Sequence, residues 1–175
     1  MVSRWGDRAE TVQKSRLALQ DALGVEVVMS RLYETQAFPP GSGPDFVNAV
    51  FSLQTSRAPE ALLALMHDIE AQAGRERSER WGPRVLDLDL LAYGDVIAPD
   101  LAVWTTWHDL DPVAQTEAAP DQLILPHPRL QDRAFVLVPL SDVAPTWVHP
   151  VMDLSLQDLL DALPGVELAD VVPLV

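Results

Sequence analysis

Apolar positions recur at helical spacing over residues 7–23, where Val12, Leu19 and Leu23 form a stripe. Asp7 is placed to cap that helix, with Glu10 three residues on, and Gly24 predicts its end. Residues 25–33 are rich in β-branched side chains and predict a strand. Residues 38–44 combine prolines, which lack an amide donor, with glycines free to take positive φ, so they form a loop. Residues 46–55 alternate, with Phe46, Asn48 and Val50 on one face of a second strand and Val47, Ala49 and Phe51 on the other. Pro59 predicts a helix start, and Leu62, Met66, Ile69 and Ala73 carry its stripe to Gly74. Residues 85–92 predict a third strand, residues 95–122 a long irregular acidic excursion, and Leu156, Leu159, Leu160 and Leu163 a short helix. Strands and helices alternate without internal repeats, which predicts one layered domain of mixed α and β structure over residues 1–175.

Charge narrows the partners. The 175 residues hold 26 acidic and 12 basic side chains, a formal charge of −14. That excess argues against general nucleic-acid binding, whose affinity comes from Lys and Arg, and against docking on an anionic membrane. The basic residues are eleven arginines and Lys14, and no Gly-rich run ends in Gly-Lys-Ser/Thr, so phosphate chemistry here falls to arginines and metals. Cysteine is absent, which removes disulfides, thiolate metal sites and cysteine nucleophiles. No basic-then-apolar leader follows Met1 and no apolar run approaches membrane-spanning length, so a cytoplasmic chain is expected.

Leu86, Leu88 and Leu90 alternate with Asp87 and Asp89. A period of two turns the leucines to a core and both carboxylates to the other face, about 6.5–7 Å apart. Carboxylates so placed can share one or two magnesium ions, which prefer hard oxygen ligands and can clamp a polyphosphate. A strand using acids to stay soluble and unpaired gives the same pattern. Just upstream, Arg75, Arg77, Arg80 and Arg84 fall within ten residues around Trp81. Guanidiniums suit phosphate because their planar fork bonds bidentately and stays charged, and the indole can stack on a flat heterocycle. Salt bridges to Glu70, Glu76 and Glu79 are the structural alternative. His127 lies between Pro126 and Pro128, with Arg133 six residues on.

The run Arg80-Trp81-Gly82-Pro83-Arg84-Val85-Leu86-Asp87-Leu88-Asp89-Leu90-Leu91 resembles the signature of the 6-hydroxymethyl-7,8-dihydropterin pyrophosphokinase family. Tyr33-Glu34-Thr35, Pro44-Asp45-Phe46-Val47-Asn48-Ala49, Gly74-Arg75-Glu76-Arg77, Leu125-Pro126-His127-Pro128 and residues 133–140 match in the same order, so the resemblance spans roughly residues 6–150. It implies a ferredoxin-like α+β fold, a mainly antiparallel sheet flanked by helices. It also implies transfer of a diphosphate from ATP to the pterin hydroxymethyl group, releasing AMP, in folate biosynthesis. By the same resemblance Asp87 and Asp89 bind two magnesium ions, and Arg77 and Arg84 join them as catalytic residues. Glu70, Arg77, Arg84, Leu90, His127 and Arg133 are expected at ATP. Thr35, Phe38, Phe46, Asn48, Trp81 and Phe135 are expected around the pterin, stacked between Phe135 and an aromatic near Phe46 and read by Asn48. Partners are then two small molecules, ATP and the dihydropterin, with no nucleic acid or membrane, and the expected state is a monomer.

Three departures accompany the resemblance. The family opens with an apolar strand running into Gly-Ser-Asn-Leu-Gly, whereas Met1-Val2-Ser3-Arg4-Trp5-Gly6 puts Arg4 in the place of Asn, so that strand is expected to be missing. A misassigned start and a weakened or inactive enzyme are the two accounts of that. The 95–122 segment is longer than in compact members, with Trp104 and Trp107 given no role. Gln122 and Ile124 replace the Arg and Thr often found before the Pro-His. Two rivals stay open: a two-metal phosphodiesterase or nuclease, and a non-catalytic binding module.

Overall fold

The computed structural model describes residues 6–36, 45–73, 85–111, 114 and 119–174. Helix α1 (Gly6–Leu23) begins one residue before the expected cap, so Asp7 lies inside it. It ends where predicted: Gly24 takes φ +66°, a conformation costly for other residues, and its N–H closes on the Gln20 carbonyl at 2.8 Å.

The two predicted strands are each divided. The first becomes β1 (Val27–Met29) and β2 (Tyr33–Thr35), and the second becomes β3 (Phe46–Asn48) and β4 (Phe51–Leu53). β1 pairs antiparallel with β4 (Met29 opposite Phe51), and β2 with β3 (Tyr33 opposite Asn48). Three residues, 30–32, therefore face two, 49–50, and this one-residue mismatch is a bulge that divides the hairpin into two small sheets. Ser30 spans the break. Its N–H donates to the Val50 carbonyl at 2.9 Å, and its hydroxyl accepts the Val50 N–H at 3.0 Å. The alternation of residues 46–55 shows two faces but not this extra residue.

Helix α2 (Pro59–Gln72) starts at the predicted proline and buries Leu62, Met66 and Ile69 against Leu19 of α1, Val27 of β1 and Leu86. Residues 85–92, predicted as a strand, have no ladder partner among the described residues. Their alternation survives: Leu86 is buried, Leu88 and Leu90 half-buried on that core, and Asp87 and Asp89 exposed. Side-chain and loop groups take some of the backbone bonds, as described below.

The excursion read as irregular contains helix α3 (Leu101–His108), with Asp100 accepting the Val103 N–H at 2.9 Å as its cap. A short 3₁₀ turn (Leu130–Asp132) leads into α4 (Ala134–Val143), followed by α5 (Leu156–Ala162), α6 (Gly165–Ala169) and β5 (Val172–Pro173). α5 carries the predicted leucines and a reciprocal Ser155/Asp158 capping box. Leu130, Val136, Leu137, Leu156 and Leu159 form a second core cluster. β5 returns to β2 with Glu34 opposite Val172, completing a three-stranded antiparallel sheet, β3-β2-β5. α4 packs on β2, β3 and β4. The architecture is α+β, built from small antiparallel sheets and helices.

Candidate active site

Asp87 and Asp89 project from the leucine-anchored segment onto the exposed face, as the alternation requires. Beneath them Glu70 is fully buried (0% exposed), and its carboxylate accepts the Leu88 N–H at 2.8 Å. The residue expected near the nucleotide thus grips the backbone midway between the two acids. Leu90, also expected there, packs half-buried on the first core cluster.

Asp89 lies close enough to His127 and Arg133 to favour the charged form of each, and Asp87 acts likewise on Arg133. Burial nevertheless pushes the His127 imidazole below its usual range, aided by the Arg133 charge. His127 is therefore neutral at neutral pH. Its Nδ1 accepts the Arg129 N–H at 3.1 Å, so the ring proton belongs on Nε2 as a donor. Burial also lowers Arg133, with Asp89 opposing it, and its guanidinium stands 5.7 Å over the Phe135 ring.

The backbone carrying His127 is held from several sides. Its N–H donates to the Leu91 carbonyl at 2.7 Å, and Ala98 and Leu125 exchange bonds of 2.9 and 3.0 Å. The Trp104 indole donates to the Pro126 carbonyl at 2.8 Å. The peptide bonds before Pro99 and Pro126 are cis.

On β2 and β3, Thr35 lies opposite Phe46, and the Asn48 amide donates to the Thr35 hydroxyl at 2.8 Å. Phe46 is 55% exposed and Phe135, in the first turn of α4, 41% exposed. Ala134 beside Phe135 packs with Tyr33 of β2, which ties the two aromatic-bearing elements together. Phe38, Arg77, Trp81 and Arg84, with Arg75 and Arg80, lie outside the described residues.

Among the described residues no group of three or more His, Cys, Asp or Glu side chains could hold a metal. Two neighbouring carboxylates still suit magnesium, which is commonly bound by one or two carboxylates with water and substrate phosphates filling the remaining positions. Sequence reasoning missed two contributions: the Arg129 amide that fixes the His127 tautomer, and Trp104. Prolines around His127 signalled a rigid loop, but nothing in the spacing identified the indole as its partner.

Residues 1–145 match the family model described as 7,8-dihydro-6-hydroxymethylpterin-pyrophosphokinase (HPPK). The chain is 36% identical over 173 residues to a 2-amino-4-hydroxy-6-hydroxymethyldihydropteridine pyrophosphokinase of Synechocystis, covering 93% of this chain and 78% of that one. It is 39% identical over 143 residues to a protein of the same name from Pseudomonas aeruginosa, covering 81% and 75%. It is also 33% identical over 164 residues to the folic acid synthesis protein fol1 of Schizosaccharomyces pombe, covering 93% of this chain and 20% of that longer protein.

Proposed function

The chain belongs to the 7,8-dihydro-6-hydroxymethylpterin-pyrophosphokinase family, and from that premise we propose how its residues divide the work of the reaction. The activity is transfer of a diphosphate from ATP to the hydroxymethyl group of the dihydropterin, a step of folate synthesis that leaves AMP. The hydroxymethyl oxygen forms the new bond to the β-phosphorus and gives up its proton to solvent, and the bond from that phosphorus to the α–β bridging oxygen breaks, leaving that oxygen on AMP. No covalent enzyme intermediate is needed, so positioning and electrostatics carry the catalysis and a chain without cysteine lacks nothing.

Asp87 and Asp89 hold magnesium, two ions in this reading, which when bound neutralises charge developing on the triphosphate. His127, through its Nε2–H, and Arg133 donate to phosphate oxygens. Arg77 and Arg84 complete the charge stabilisation, while Glu70 and Leu90 set the floor under the nucleotide. Phe46 and Phe135 stack on the pterin, and the family resemblance assigns Phe38 and Trp81 to the same pocket. Thr35 holds the Asn48 amide, leaving Asn48 Oδ1 and one N–H to read the edge of the ring. The observation that supports this reading is electrostatic: Asp89 acts on both His127 and Arg133, and Asp87 on Arg133, as acids proposed to hold magnesium beside phosphate donors would.

The finer fold belongs to the same proposal. It is a single ferredoxin-like domain, supported by the small antiparallel sheets and the helices packed on them. A cytoplasmic monomer is proposed with it, and no helix among the described residues is long and apolar enough to cross a membrane. Neither the phosphodiesterase nor the binding-module alternative is favoured by these relatives. The test is AMP release from ATP. It is expected only when magnesium and the hydroxymethyl-dihydropterin are both present, and release that ignores the pterin would overturn the assignment.

A further inference from the structure

We propose that Trp104, on the helix inserted between the Asp87/Asp89 segment and the His127 loop, is a positioning residue for ATP, its indole N–H holding the Pro126 carbonyl and through it the His127 imidazole. This rests on the reading that His127 contacts the nucleotide.

The case comes from the backbone of residues 125–128. Two prolines leave this stretch with two amide donors and four carbonyls, too few donors for a ladder. All six groups are nonetheless paired. The Leu125 N–H and carbonyl bond Ala98, and the His127 N–H reaches the Leu91 carbonyl. The His127 carbonyl takes the Leu130 N–H at 3.1 Å, and the Pro128 carbonyl takes the Gln131 side chain at 2.9 Å. The Pro126 carbonyl has the Trp104 indole. Three of these six bonds come from the inserted segment, two from Ala98 and one from Trp104.

Trp104 suits the task because an indole carries one donor on a large rigid apolar body, so it can reach a buried carbonyl without bringing a second polar group that needs a partner. It is 3% exposed. Its ring stacks on His108 at 4.7 Å and meets the His149 ring edge-on at 5.5 Å, which fixes the direction of the N–H. The Asp100 cap fixes the start of the helix that carries it. Removing the donor orphans a buried carbonyl one residue before His127, and relaxation there shifts the imidazole.

The experiment uses the full chain with MgATP and hydroxymethyl-dihydropterin, well below the unfolding temperature. Trp104→Phe keeps a ring and deletes the donor. It is expected to raise KM for MgATP roughly 3- to 10-fold, the value of one net hydrogen bond, with KM for the pterin unchanged. Trp107→Phe, on the same helix, is expected to leave both unchanged. In a His127→Ala background, Trp104→Phe is expected to add nothing further. If His127→Ala itself leaves KM for MgATP unaltered, the reading of His127 fails and this proposal with it. If His127→Ala raises it but Trp104→Phe does not, or if the two effects simply add, Trp104 has no positioning role and the reading of His127 stands. Should Trp104→Phe not fold, replacing Trp104 with 3-benzothienylalanine, which keeps the bicyclic shape without the N–H, makes the same comparison.

Discussion

Phe46 and Phe135 stand largely open to solvent, one on a three-residue strand and the other in the first turn of a helix. Across the site, by contrast, every backbone polar group of residues 125–128 is paired before any ligand arrives. The proposed substrates explain the difference. A flat heterocycle supplies its own apolar surface, so rings left exposed gain by being covered. A triphosphate brings dense charge that water solvates well, and donors compete with water only when already fixed in direction. In the proposed reading the rings are covered by their ligand, while the backbone that carries His127 is fixed beforehand.

Substitutions can separate the pterin-side and phosphate-side walls of this reading. The largest effect belongs to neither: Asp87→Ala or Asp89→Ala is expected to lower kcat by about 10³-fold or more, the several kcal/mol of metal-held charge stabilisation. Both side chains are exposed, so thermal unfolding should be little changed. Activity near that of the parent in both variants would remove the metal assignment.

Next comes acid sensitivity beneath the phosphate-side wall. His149 is fully buried, edge-on to Trp104 and Trp147, with Nδ1 accepting the Val151 and Met152 N–H groups at 3.2 Å. Its Nε2 has no hydrogen-bond partner among the described residues. Burial, with the nearby His108, pushes its pKa down to about 4. The unfolded chain therefore binds a proton that the folded one refuses. The stability at stake, up to about 3 kcal/mol, is fully present above pH 6.5 and is lost as pH falls from there toward 4. His127 is shifted in the same direction, so His149→Asn, which keeps an acceptor for the two amides, should flatten the slope of thermal stability over this window without abolishing it. An unaltered slope would show that His149 does not titrate on unfolding.

On the pterin side, Phe46→Ala should raise KM for the dihydropterin about tenfold, the value of a lost aromatic contact, and leave KM for MgATP alone. Equal changes in both constants would mean that the walls are not separable. The smallest effect is expected at Asp142, which accepts a forked bond from Arg31 at 3.1 and 2.8 Å and the Tyr33 hydroxyl at 2.9 Å. That pairing holds the Asp142 carboxyl below its usual range, yet Arg31 is largely exposed. Asp142→Asn should cost less than about 1 kcal/mol in denaturant unfolding and change neither KM.

Much of this organisation was legible along the chain. The Leu86/Asp87/Leu88/Asp89 alternation requires only that one face be buried, and it holds with no ladder partner among the described residues because the leucines pack on the first core cluster. The ends of α1 and α2 followed from Gly24 and Pro59 because glycine and proline act through local backbone geometry. The division at Ser30 was not legible, since a bulge depends on which residues oppose one another across a hairpin. Helix α3 was missed for another reason. Thr105, Thr106 and two tryptophans are modest helix formers, and the segment is held by the Asp100 cap, by Thr105 and Thr106 hydroxyls bonding carbonyls four residues back, and by burial of Trp104. Phe46, Asn48 and Thr35 were named by resemblance, and the structure brings them onto paired strands. The contribution of Glu70 to the Leu88 amide is tertiary, and no spacing in one sequence encodes it.

The central claim is that the acceptor of the diphosphate is the pterin hydroxymethyl oxygen and not water. Turnover in ¹⁸O-labelled water, followed by mass spectrometry of the products, tests it directly. Transfer predicts AMP and pterin diphosphate both free of label, because no oxygen from water enters either bond change. Label in AMP or in free diphosphate, formed at the rate of ATP consumption, would make the protein a hydrolase and contradict the account.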